Sequence, residues 1–152
     1  MSRVYAWVAV SGAALAVAVV ALMFVFRSQP KEIDPDDPVQ VALGGQIYAE
    51  RCARCHGANL EGQPNWMARK PDGRLPAPPH DASGHTWHHP DQQLITMTKK
   101  GLSGILPNYE SDMPAFEGVL TDEQIVAVLA FIESSWPEEI RSRQRALTRA
   151  AS

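Results

Sequence analysis

The sequence predicts an all-α, loop-rich domain preceded by a single membrane-spanning helix. Three observations carry that expectation. Apolar residues recur at helical spacing in three separate segments, and no segment shows the alternation of a half-buried strand. A run of 23 uncharged residues, Val4 to Phe26, lies near the amino terminus. Between the first two helical segments, from Gly57 to His89, the chain is rich in proline and glycine with little periodicity. So long an irregular stretch suits a compact domain only if it wraps something large and rigid.

The elements follow in order. As a helix, Val4 to Phe26 would be about 35 Å long, enough to cross a hydrocarbon core of about 30 Å with modest tilt. A cleaved signal peptide is the alternative. Its apolar region is usually shorter, and the A-x-A pattern Ala16-Val17-Ala18 lies inside the run, not after it. An uncleaved signal anchor over residues 1–27 is therefore expected. Residues 28–38 are polar, with three prolines and three aspartates between Arg27 and Pro38, and read as an extended tether.

Residues 39–137 form the expected domain. Val39, Val41, Leu43, Ile47 and Tyr48 suggest a helix running into Cys52. "PDQQLITMTKKG" is a short helix candidate, with Pro90 near its start and Gly101 as its stop. "LSGILPNYESDMPAFEGVL" reads as a loop. The clearest helix is "TDEQIVAVLAFIESSW": Thr121 and Gln124 make a capping-box pattern, and Ile125, Val128, Leu129 and Ile132 form an apolar stripe. Pro137 marks its end or a kink. Residues 138–152 are a basic tail expected to be helical, with Glu138-Glu139 in its first turn, favourable to the helix dipole.

Charge narrows the partners. The whole chain carries a formal net charge of −3, and the segment from Val39 to Trp136 has 11 acids against 7 bases. Neither a basic field nor an aromatic-basic interleaving appears, which argues against nucleic acid. The bases concentrate in the tail at Arg141, Arg143, Arg145 and Arg149, where a solvated helix face is the simplest reading and an acidic surface or anionic lipid the alternative.

Residues 52–56 read CARCH, and Cys52 and Cys55 are the chain's two cysteines. Three chemistries use such spacing. A redox dithiol normally sits in a βαβ pattern, which is missing here. A zinc site completed by His85 and His88 would need a spacing these residues do not have: 29 residues separate Cys55 from His85, against the usual 12–15. C-x-x-C-H is the signature of covalent c-type haem attachment. Two thiols add across the two vinyl groups of one haem, giving thioethers to Cys52 and Cys55. His56 is then carried beneath the iron as an axial ligand, because the vinyl positions and the iron are fixed relative to one another.

An electron carrier's iron usually takes a second protein ligand, and methionine paired with histidine raises the potential. Met1 and Met23 belong to the anchor, and Met97 has core-like spacing with Leu94. Met67 lies close after the haem motif in "PNWMARK". Met113, in "ESDMPAFEG", is the best candidate: it sits on a non-helical loop before the last helix, and Pro114 biases it toward an extended backbone. A weakly basic thioether depends on a stiff loop to stay on iron. Met67, Met97 or a histidine are the alternatives.

Over about residues 40–137 the chain resembles class I cytochromes c. "GGQIYAERCARCHG" is similar to the family's Gly-x-x-x-aromatic-x-x-x-C-x-x-C-H-G opening, on which Gly44, Tyr48, Cys52, Cys55, His56 and Gly57 fall. "DMPAF" looks like its methionine-proline element, and "LTDEQIVAVLAFIESSW" like its closing helix. The resemblance implies that this helix crosses the first near the haem edge, with Gly44 and Tyr48 facing Phe131. It implies that Pro78 or Pro79 offers a carbonyl to the ligating histidine's other nitrogen, and it groups Tyr48, Pro78 and Trp87 with the haem. The loop from Glu61 to Leu75 is longer than in compact members, and "GHTWHHPD" is unusually rich in histidine. Trp87 and one histidine covering a propionate is the simpler reading of that cluster; His80, His85, His88 and His89 binding copper is the other.

By the same resemblance the function is one-electron transfer on one haem c, with no catalytic residue, small-molecule substrate or nucleic acid involved. Partners would be membrane redox complexes or other cytochromes. The anchor would sit in a bacterial inner membrane with its N-terminus cytoplasmic and the haem domain periplasmic, the tether raising the local concentration of partners. A haem subunit held permanently in an oxidase or dehydrogenase is the second reading, and a haem gas sensor the third.

Overall fold

The computed structural model of the protein describes residues 32–151. Six α-helices and one 3-10 turn occur among them: α1 Pro38–Arg51, α2 Ala53–His56, the 3-10 turn Thr86–His88, α3 Asp91–Lys100, α4 Leu102–Ile105, α5 Asp122–Ser134 and α6 Glu138–Ala151. No strand forms among the described residues beyond an isolated bridge between Glu117 and Leu120, so the all-α expectation holds. The expected membrane-spanning segment lies outside the described residues. Within them, no helix is long and apolar enough to cross a membrane.

Helix α1 begins where Asp37, as N-cap, accepts from the backbone N–H groups of Val39 and Gln40, and Pro38 opens the first turn. Its buried face is Gln40, Gly44, Ile47 and Tyr48, one stripe at helical spacing. Helix α5 has the full reciprocal cap: Thr121 Oγ1 accepts from the Gln124 N–H, and the Thr121 N–H donates to the Gln124 side chain.

These two helices pair face to face. A Cβ built on Gly44 would lie 1.9 Å from the Ala127 carbonyl oxygen and 2.8 Å from Phe131 Cβ, so the crossing needs a glycine there. One turn later the Tyr48 and Phe131 rings meet with centroids 5.3 Å apart. The core around this crossing is Ile47, Tyr48, Leu60, Leu94, Ile125, Val128, Leu129, Ile132 and Trp136. Burying a side chain of this size contributes about 1.5–3 kcal/mol.

Helix α3 starts after Pro90 and stops at Gly101, whose φ of +67° leaves the helical region. Three local features differ from the sequence expectation. The stretch after Gly101 contains the short helix α4, one turn whose apolar residues are too few to show a period. Helix α5 ends at Ser134, two residues short of Trp136, because the Ser135 hydroxyl takes the Ile132 carbonyl and closes the last turn. Residues 32–37, expected as tether, lie against the domain: Ile33 packs on the core, the Asp34 N–H donates to Gln40 Oε1 at 2.8 Å, and Asp36 pairs with Arg141 at 2.7 Å.

The basic tail is helical and docked. Gln144 is 1% exposed, and its amide donates to the Asp91 carboxylate and the His89 carbonyl. Arg141 pairs with Asp36 and Glu138, Arg143 with Glu139, and Arg145 with Glu138. Three of the four tail arginines are thereby engaged with carboxylates on their own domain.

Candidate functional site

Cys52 caps the end of α1, and its N–H bonds to the Tyr48 carbonyl. The chain bends there and re-enters a single helical turn, α2, which carries Cys55 and His56. Both thiols are free and partly exposed. Burial, then the neighbouring Cys55, pushes the Cys52 thiol up to about 11, opposite to the lowered value of a reactive redox dithiol.

His56 is buried, at 8% exposure. Its Nδ1 donates to the Pro78 carbonyl oxygen at 2.8 Å, so of the two prolines named from sequence the bond falls to Pro78. A carbonyl only accepts, which fixes the proton on Nδ1 and leaves the Nε2 lone pair free. Burial lowers the histidine's pKa against the opposing effect of that hydrogen bond, favouring the neutral ring. Tyr48 sits between the helices with its hydroxyl donating to the Gly57 carbonyl at 2.9 Å.

The irregular stretch closes tightly on this turn. The Gly62 N–H donates to the His56 carbonyl at 2.7 Å. Gly62 has φ +69°, and a Cβ there would lie 2.4 Å from Pro79 N, so only glycine lets the Pro78-Pro79 backbone lie so close. The His80 N–H then bonds to Leu60 O, and the indole Nε1 of Trp136 donates to the His80 carbonyl at 2.7 Å.

By sequence alone His80 belongs only with the cluster of neighbouring histidines. Its ring instead stacks on His56, centroids 4.0 Å apart, and shares a hydrogen bond with Thr86 Oγ1 at 2.7 Å. Burial, then His56, holds His80 well below the ordinary histidine range. The other three histidines do gather: His85 stacks on His88 at 4.8 Å and meets His89 edge-on at 4.9 Å. Among the described residues, however, no group of three or more His, Cys, Asp or Glu side chains is arranged to hold a metal ion. Trp87 stacks on His88 at 3.7 Å and packs on the core, with its buried Nε1 lacking a hydrogen-bond partner.

Met113 lies apart in sequence on the loop before α5, partly buried, its N–H donating to Ser111 Oγ. The chain beyond it is tied to the end of α3, where the Phe116 and Glu117 N–H groups bond to the Lys99 carbonyl. Met67 is 78% exposed and Met97 packs against the core.

Against known proteins, the family model described as Cytochrome c matches residues 41–136. The chain is 29% identical over 101 residues to the cbb3-type cytochrome c oxidase subunit CcoP of Rhodobacter capsulatus, across 66% of this chain and 31% of that protein. It is 46% identical over 37 residues to CcoP of Rubrivivax gelatinosus, across 24% and 12% of the two chains. It is 33% identical over 98 residues to cytochrome c-555 of Prosthecochloris aestuarii, across 60% of this chain and 84% of that one. The match thus spans about a third of the first CcoP protein and less of the second. No solved structure gives a significant match.

Proposed function

Because the chain belongs to the cytochrome c family, we propose that it is a membrane-anchored monohaem cytochrome carrying single electrons between membrane redox complexes. The family's cofactor is covalently attached haem c, and electron transfer is its activity. In the finer reading, Cys52 and Cys55 would hold the haem as thioethers, and His56 and Met113 would ligate its iron. Residues 1–27 anchor the chain in a bacterial inner membrane, with the haem domain on the periplasmic side.

The residues present fit haem c. The observation that carries the reading is the His56–Pro78 hydrogen bond, which presents a neutral imidazole with a free Nε2 one residue after a partly exposed thiol. The unpartnered, buried indole N–H of Trp87 is a donor suited to a propionate. Bound haem supplies a one-electron Fe(II)/Fe(III) couple whose potential the protein sets through ligands, burial and hydrogen bonds. The chain's part is to hold the imidazole in one tautomer and keep Met113 in place in both oxidation states. Excluding water from the interior between α1 and α5 limits rearrangement as the charge changes.

A second reading rests on the similarity to CcoP: a haem subunit held permanently in an oxidase complex. Haem staining of the denatured membrane protein, with a reduced-minus-oxidised spectrum, tests the shared core of both readings. A band that fails to stain overturns both. Recovery of stoichiometric oxidase subunits with the detergent-solubilised chain favours the second. Met113→Ala is expected to abolish the low-spin methionine-ligated spectrum; an unchanged spectrum would point instead to a labile sixth position, as in a gas sensor.

A further inference from the structure

The loop from Glu61 to Leu75, long for its place in the fold, has a definite internal structure at its far end. Lys70 to Arg74 form a tight turn closed in both directions: the Gly73 N–H bonds to Lys70 O and the Lys70 N–H to Arg74 O, each at 2.9 Å. Gly73 supplies a φ of +84°. The Asp72 carboxylate takes the Arg74 N–H at 3.0 Å, and Arg69 Nη1 reaches the Gly73 carbonyl at 2.6 Å. The turn therefore presents its cations from a fixed backbone.

Those cations converge on the segment just before Met113. Lys70 Nζ and Arg74 Nη1 lie 2.5 Å and 2.6 Å from different oxygens of the single Asp112 carboxylate. Arg74 Nε lies 3.5 Å from Glu110, and the Arg69 guanidinium sits 5.9 Å from the centre of the Tyr109 ring. The loop that carries Pro78, the partner of His56, is thereby fastened by charge to the loop that carries Met113. On the other side of Met113, backbone bonds from Phe116 and Glu117 to Lys99 O make the second attachment. A Cβ on Gly101 would stand 3.2 Å from the Met113 carbonyl oxygen, so that flank is also closely backed.

We propose that Lys70, Arg74 and Asp112 form an electrostatic clasp that positions Met113 as the sixth haem ligand, so that retention of that ligand depends on ionic strength. This rests on the assignment of Met113 made above. One flank of the methionine is held by backbone hydrogen bonds, which salt leaves nearly untouched. The other is held by partly exposed ion pairs, which salt screens. A single exposed pair is worth little, but one carboxylate shared by two cations on a rigid turn loses less side-chain freedom on pairing. These three are positioning residues, since none is assigned a bond to the haem.

The test uses the intact haem-loaded protein in detergent. Exogenous imidazole is titrated against the ferric form, and displacement of methionine is followed by loss of the methionine-to-iron charge-transfer band. For the wild type, imidazole affinity is expected to rise several-fold between low salt and about 1 M salt, where the screening length is about 3 Å. Asp112→Asn and Arg74→Gln are each expected to raise low-salt affinity roughly fivefold, the size of one or two exposed charge pairs, and to flatten the salt dependence. Exchanging the charges, Lys70→Asp and Arg74→Asp with Asp112→Lys, should restore part of it, which a purely structural role would not.

Met113→Ala separates the two ideas. If it abolishes the band while wild-type imidazole affinity is indifferent to salt and to Asp112→Asn, the clasp is wrong and the ligand assignment stands. If Met113→Ala leaves the band intact, the ligand assignment fails and the clasp falls with it. The salt titration of the wild type needs no variant, so misfolding of a mutant does not blunt the result.

Discussion

Gly44 shows most plainly how one residue constrains this protein. Its Cβ-free backbone sits against the Ala127 carbonyl, at a separation no side chain survives. Gly44→Ala should force α1 and α5 apart and cost about 1–3 kcal/mol or more as overpacking, read as a fall in the denaturant midpoint of the haem-loaded protein. The close crossing at Gly44 and the Tyr48–Phe131 contact were legible through the family resemblance, and CARCH through its fixed spacing. His80 on His56 and Lys70 and Arg74 on Asp112 were not. Those contacts join residues from loops without periodicity, and no spacing rule connects position 56 to 80 or 74 to 112. The nearest signal was Lys-Pro-Asp-Gly-Arg, which reads as a turn but is silent about what the turn faces.

Among elements, the junction of α3, α5 and α6 is the least expected. Glu133, in the last turn of α5, is 4% exposed, with a buried Oε1 that has no hydrogen-bond partner. Burial, and then the Asp91 carboxylate, pushes its pKa up to about 8, against the pull of Arg145 and Arg141. Folding thus holds the proton more tightly than the unfolded chain does. The stability this contributes is complete below about pH 4.5 and is lost as pH rises through about 8. Each tenfold gain in proton affinity is worth about 1.4 kcal/mol, so the whole effect is a few kcal/mol. Thermal unfolding across that window should show stability falling with pH, and Glu133→Gln should flatten the slope; an equally steep slope in the variant would assign the proton elsewhere. Helical periodicity revealed α5, while α6 was expected only as a basic tail with Glu138-Glu139 in its first turn. It could not reveal that Gln144 of α6 is buried against Asp91 at the start of α3, because α6 reads as polar on every face but one narrow strip.

For the molecule as a whole, charge and cofactor decide behaviour. The all-α layout was readable from three helical periods and a proline-rich middle that made sense only around a prosthetic group. The segment from Val39 to Trp136, with its 11 acids and 7 bases, should repel anionic redox reagents. Its reduction by an anionic donor is expected to speed up with added salt and by a cationic donor to slow down, measured by stopped flow over a range of ionic strength. Equal salt response for both would mean that the electron port lies in a neutral patch, and a reversed response that it lies in a basic one, unlike the domain's average.

The pairing of α1 with α5 also bears on how the protein is made. Synthesis delivers the amino-terminal part first, so α1 and the two thiols emerge while their packing partner is still to come. During that interval the segment lacks the helix that backs it in the folded domain. Once α5 arrives and Phe131 closes over Tyr48, the same sulfurs lie beside a finished interior. The order of the chain itself therefore leaves the CARCH segment unbacked early in synthesis and backed only once the last helix of the core is made.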